Sequence, residues 1–374
     1  MENYISALEM GAGSDSARIQ LAIEKAKAEG VDRVVIPRKT TPWVIDETIC
    51  IPSDLEILID GAHLIMADDT YAQMFATENF LKKEKVQQKN IRIHGINGAL
   101  LDGGKYNGLC EKNSLKDGRP HISCNTMMMF YYTRDLHVHD LKIINQRYWG
   151  ITNMFVEYAT YRDIEFKADL SRVDENGVHH PNQFPRNYNE VYIKNADGVD
   201  LRVGCNHITV ENISGFTEDD TVALTALGGF EKPYLPEGKD TDIHDVTIRN
   251  IASDCYICSN VRLLCGRGNK LYNIDIDGVR DISQNPLYQT NASVRIGDVL
   301  YGEPSKLGDM HHITVKNVVS RGTSAVSICR PICDSKFENI FNEKYLFVAV
   351  EIRHGAQIQN VLFENLKNCY GNQQ

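Results

Sequence analysis

At 374 residues, with 42% apolar and 24% charged content, the chain has the make-up of a globular protein with material for a sizeable core, and its length admits one to three domains. The formal net charge of −10, with 40 Lys and Arg residues scattered along the chain, speaks against a nucleic-acid partner, because phosphate binding needs a concentrated basic face. No run approaches the roughly eighteen apolar residues of a membrane span, and Met1-Glu2-Asn3-Tyr4 lacks the basic-then-apolar layout of a secretory signal, so a cytoplasmic protein with no membrane partner is expected.

The first element is a helix. Ser14 or Asp15 can cap the stretch Ala17 to Ala28, where Ile19, Ala22, Ile23 and Ala26 form one apolar stripe, and Gly30 stops it. Short apolar segments follow, at Arg33 to Pro37, Leu55 to Ile59 and Ile91 to Ile93, and these read as strands. The ten cysteines are spread out, with close pairs only at Cys255/Cys258 and Cys329/Cys333. About seventy residues part the two pairs, too far for a zinc site of ordinary spacing, so reduced cysteines buried as small hydrophobes are expected.

From about residue 136 a theme recurs in which alternating apolar residues end on asparagine: Leu141 to Asn145, Ile208 to Asn212, Val246 to Asn250, Ile313 to Asn317 and Val361 to Asn365. Asn145 and Asn212 are as far apart as Asn250 and Asn317, a spacing that three coils of about 22 residues would give. Short strands repeated without intervening helices point to a solenoid. The expected fold is therefore all-β, a right-handed parallel β-helix in one domain over 1–374, with a capping helix and first strand in 1–40 and coils in 41–374. The N-terminal helix would cover the first coil's open edge, and no equally clear cap follows the last strand. The asparagines are expected to point inward and bond in a ladder from coil to coil.

In such a solenoid each coil stacks about 4.8 Å from the last, so residues one coil apart in sequence become neighbours in space. Asp197, in Asn195-Ala196-Asp197-Gly198-Val199-Asp200, precedes Asp219 by the length of one such coil and should sit beside the Asp219/Asp220 pair. Clustered carboxylates raise the pKa of one member and leave an acid beside ionised bases, the equipment of glycoside hydrolysis. The competing reading of Asp219-Asp220 is a solvated turn.

These residues resemble the motifs of the polygalacturonase family of glycoside hydrolases, which run Asn-Thr-Asp-Gly, Asp-Asp, Gly-His-Gly and Arg-Ile-Lys. Asn195 to Gly198 and Asp219-Asp220 match the first two, while Gly266-Arg267-Gly268 and Arg295-Ile296-Gly297 stand in place of the others, with Arg267 for His and Gly297 for Lys. The resemblance implies an inverting mechanism in which Asp219 is the general acid and Asp197 and Asp220 activate water, with no cofactor. It also implies that Arg295 binds a uronate carboxylate and that Arg267 lies near the acid. The two departures point either to a different substrate or to lost activity.

Three further side chains are candidates for substrate contact. Trp149 is either a sugar platform or a core residue, and His179 and His180, in a polar loop through Asn189, either line a cleft or lie in solvent. The expected partner is an oligosaccharide or polysaccharide, pectin-like or related. Two readings compete with the hydrolase: a β-helix lyase that holds calcium in its aspartates, and a non-catalytic carbohydrate-binding β-helix.

Overall fold

The structure, a computed structural model, describes residues 3–174, 178–180, 194–229, 231–256, 258–284, 290–344 and 347–372. The chain divides into two compact units, residues 1–152 with 156–196, and residues 153–155 with 197–374. Each is built of right-handed parallel β-helix coils. No helix among the described residues is long and apolar enough to cross a membrane.

In the first unit the helix spans Asp15–Glu29. The Ser14 hydroxyl accepts the Ala17 N–H at 3.3 Å, and Gly30 ends the helix at φ 67°, a left-handed position that glycine adopts without strain. Its stripe, Ile19, Ala22, Ile23 and Ala26, is buried. Parallel strands then stack large apolar side chains in register: Val34, Ile57, Ile93, Val138 and Tyr161 form a single column, every member fully buried. Alternation explains this, since each strand offers every second side chain to the coil interior.

The second unit repeats the plan with two such ladders. One runs Val210, Ile248, Ile276, Val315, Phe337 and Phe363, ending on rings stacked at 5.2 Å. The other consists of six valines, Val199, Val222, Val261, Val294, Val326 and Val350. The residue after each valine faces out of the coil, so a second column runs Asp200, Ala223, Arg262, Arg295, Ser327 and Glu351. This polar column carries much of the candidate site.

Two expectations need correction. Asn250 and Asn317 are separated by two coils rather than three: Arg249 pairs with Asp277 and Asp277 with Lys316, two circuits of unequal length, each longer than the average period. Loops that an average period does not reveal make up the difference. The asparagine ladder exists but faces outward. Asn212, Asn250, Asn317 and Asn365 are exposed and hold φ between 53° and 59°, where asparagine is tolerated better than other non-glycine residues. Asn250 donates to Asn212 at 3.2 Å, Asn339 to Asn317 at 3.0 Å and Asn365 to Asn339 at 2.6 Å, across neighbouring coils.

Candidate active site

The three aspartates come from two adjacent coils of the second unit. Val199 pairs with Val222, so this circuit is slightly longer than the step from Asp197 to Asp219 and sets Asp197 opposite Asp220 instead. The Gly198 N–H donates to the Asp220 carbonyl at 3.0 Å, which fixes the register at the carboxylates. The solvated-turn reading fails, because Asp197, Asp219 and Asp220 are only 4%, 8% and 3% exposed.

Below the pair lies a buried hydroxyl network that holds its backbone. Thr217 Oγ1 donates to the Asp219 carbonyl at 2.8 Å, Thr217 and Thr221 share a bond of 3.0 Å, and Thr221 meets Ser253 at 2.9 Å. The Cys255 thiol donates to the same Asp219 carbonyl at 3.0 Å. Backbone N–H groups then orient the carboxylates: Asp220 N–H donates to Asp219 Oδ1 at 2.9 Å and Ser259 N–H to Asp220 Oδ1 at 3.0 Å. A side chain pinned this way keeps its geometry when substrate arrives.

Electrostatics follow from packing acids together out of water. Burial, then Asp200, Asp219 and Asp220, push Asp197 well above the usual carboxylate range. The contact between the Asp197 and Asp200 carboxyls raises the pKa of the first and lowers that of the second, as when two carboxyls share a proton. Asp200 is raised to about 8, burial outweighing the Arg202 guanidinium. Asp220 is raised to about 7 by burial and Asp219, against Arg262. At neutral pH the cluster therefore holds protons beside ionised oxygens, and its titration belongs to the group rather than to one residue.

Arg262, which no motif in the sequence marks, completes the cluster. Its guanidinium reaches Asp220 at 3.3 Å and Asp298 at 2.5 Å, and Arg295 meets the same Asp298 oxygen at 3.0 Å. Arg262 and Arg295 are register partners on the outward column, one coil apart. Only the loop lengths of this chain reveal that pairing. Gly297 leaves no space for a lysine: a Cβ there would lie 2.1 Å from Arg330 Cγ.

The other candidates have different surroundings. Arg267 sits in a turn at φ 61°, is 56% exposed and pairs with Glu303 at 3.7 Å; the cation beside the aspartates is Arg262 instead. Trp149, in the first unit, is 5% exposed and stacks on Tyr148 at 4.3 Å, the setting of a core residue rather than of a platform open to solvent. His180 pairs with Asp174 at 2.9 Å in the first unit. His179 meets Asp169 at 2.8 Å and lines a cavity of about 480 Å³ with Asp102, Asn145, Arg147 and Lys194. Residues 181–189 of the expected polar loop lie outside the described residues.

Asp219, Asp220 and Cys258 bring two oxygens and a sulfur within 4.8 Å of one another. Calcium takes oxygen ligands, and burial keeps the Cys258 thiol protonated, its pKa raised well above the ordinary value. This donor set does not suit calcium. The described cysteines are all free, and most are buried.

No protein-family model matches the sequence, and no curated protein matches it. Solved structures do. An endo-xylogalacturonan hydrolase from Aspergillus tubingensis aligns over 99% of this chain and 94% of its own at 15% identity and a TM-score of 0.64. A polygalacturonase from Erwinia carotovora ssp. carotovora aligns over 100% and 96% at 15% identity and a TM-score of 0.59. A mannuronan C-5 epimerase A-module from Azotobacter vinelandii aligns over 98% and 97% at 13% identity and a TM-score of 0.56. The chain thus has the polygalacturonase-like right-handed parallel β-helix fold. Hydrolases and an epimerase share it, so the reaction has to be argued from the site.

Proposed function

We propose that this polygalacturonase-like β-helix protein is a glycoside hydrolase that cleaves a pectin-like or related oligosaccharide with inversion at the anomeric carbon. The observation that carries the reading is the convergence of Asp197, Asp219 and Asp220 from adjacent coils into one buried acidic cluster. Asp219, the most exposed of the three, is assigned as the acid that protonates the leaving oxygen, with one carboxylate oxygen already fixed by the Asp220 N–H. Asp197 and Asp220, facing each other across one interstrand step, are assigned to the attacking water.

Inverting acid and base carboxyls usually stand about 6.5–9.5 Å apart to admit water. The nearest oxygens of Asp219 and Asp220 lie within 4.8 Å, so Asp197 is given the larger share in holding the water. Release of new reducing ends from a panel of pectic and other plant oligosaccharides tests the reading, with Asp219→Asn as control. Cleavage by the parent, and cleavage slowed by about 10²–10⁴-fold in the variant, is expected. An unsaturated, ultraviolet-absorbing product suppressed by chelator would instead make the protein a lyase, and equal cleavage by the variant would remove the aspartates from the mechanism.

A further inference from the structure

Resting on the hydrolase reading, we infer that the sugar bound beside Asp219 and Asp220 is neutral, not a uronate, because the two arginines of that cluster, Arg262 and Arg295, are already occupied by the protein's own Asp298. Asp298 is held on both oxygens. Its Oδ1 accepts the Leu300 and Tyr301 N–H groups at 2.9 and 3.1 Å, and its Oδ2 takes Arg262 at 2.5 Å and Arg295 at 3.0 Å. Four donors pin it, and it is 7% exposed, so it does not swing aside cheaply for a ligand.

Charge points the same way. The guanidinium groups of Arg262 and Arg295 meet the protein's own acids, Arg262 being shared between Asp220 and Asp298 and Arg295 being bound to Asp298. Arg202, the next cation, is bound to the buried Glu231 at 2.7 Å. A uronate carboxylate entering here would have to compete with Asp298 and Asp220 for Arg262 and Arg295. Sugar hydroxyls suit it better, because they donate to carboxylate oxygens and accept from the remaining Arg295 N–H groups.

The loop after Asp298 supplies surface for such a sugar. Val299, Leu300 and Tyr301 are 49%, 94% and 57% exposed, and the Tyr301 ring lies 5.6 Å from the Arg262 guanidinium. An exposed aromatic beside apolar side chains stacks on the carbon face of a pyranose and gains nothing from a carboxylate.

The test pairs binding with cleavage. Oligogalacturonides, their carboxyl-reduced counterparts and a panel of neutral plant oligosaccharides are titrated calorimetrically into Asp219→Asn, and cleaved by the parent protein. At least one neutral ligand should bind and be cleaved at least tenfold better than any uronate. Asp298→Asn, which frees both arginines, should move the ratio toward uronates by tenfold or more. Uronates preferred by the parent would overturn the inference while leaving the hydrolase reading intact. Neutral binding without cleavage would sink the hydrolase reading and leave the sugar class standing. Binding of neither class overturns the inference. If Asp298→Asn does not fold, the parent's ratio alone decides.

Discussion

Asp200 ties protonation to stability. Its folded pKa of about 8 and that of Asp220 at about 7 lie above the roughly 3.9 of an unfolded aspartate. A raised carboxyl pKa stabilises the fold fully below the unfolded value and progressively less as pH rises through the folded one. The melting temperature should therefore fall between about pH 5 and pH 8.5, and Asp200→Asn should flatten that slope. A parent whose melting temperature is constant over the range would contradict the proton-sharing pair. At the neighbouring Asp219, Asn should cut turnover by about 10²–10⁴-fold with the fold retained, read from initial rates and far-ultraviolet circular dichroism. Asp197, Asp219 and Asp220 were legible because near-constant winding over one short circuit put them together. Arg262 and Asp298 were not, since Val222 pairs with Val261 and Val261 with Val294, two longer circuits set by loops that carry no periodic signal.

At the scale of elements, the two ladders of the second unit and its corner asparagines differ sharply in what they contribute. Phe337 lies fully buried between Val315 and Phe363, so Phe337→Ala should cost about 3–5 kcal/mol, measured as a drop in the urea midpoint. Asn250 is exposed at φ 53°, and its replacement by Ala should cost only about 1 kcal/mol, the strain of a left-handed backbone, while Asn250→Gly should be close to neutral. Equal losses for Gly and Ala would show that the side-chain bond to Asn212, not the backbone, holds the corner. The helix was readable to within a residue or two because Ser14 and Gly30 act locally at its ends. The direction of the asparagines was not, because an amide ladder satisfies its bonds on either side of a coil.

Across the whole chain, apolar alternation ending on asparagine was enough to recognise a parallel solenoid, since each strand buries the same positions as its neighbours. Coil count and register escaped it, and with them the arginine network that separates this site from the motif it resembles. Hydrolysis of a glycosidic bond by single displacement at the three clustered aspartates is tested most directly by proton NMR of the anomeric region during cleavage of a responsive oligosaccharide. The first product to appear should carry the anomeric configuration opposite to that of the substrate, and the signal should be lost in Asp219→Asn. A first product of retained configuration, or one formed at the same rate by the variant, would contradict it.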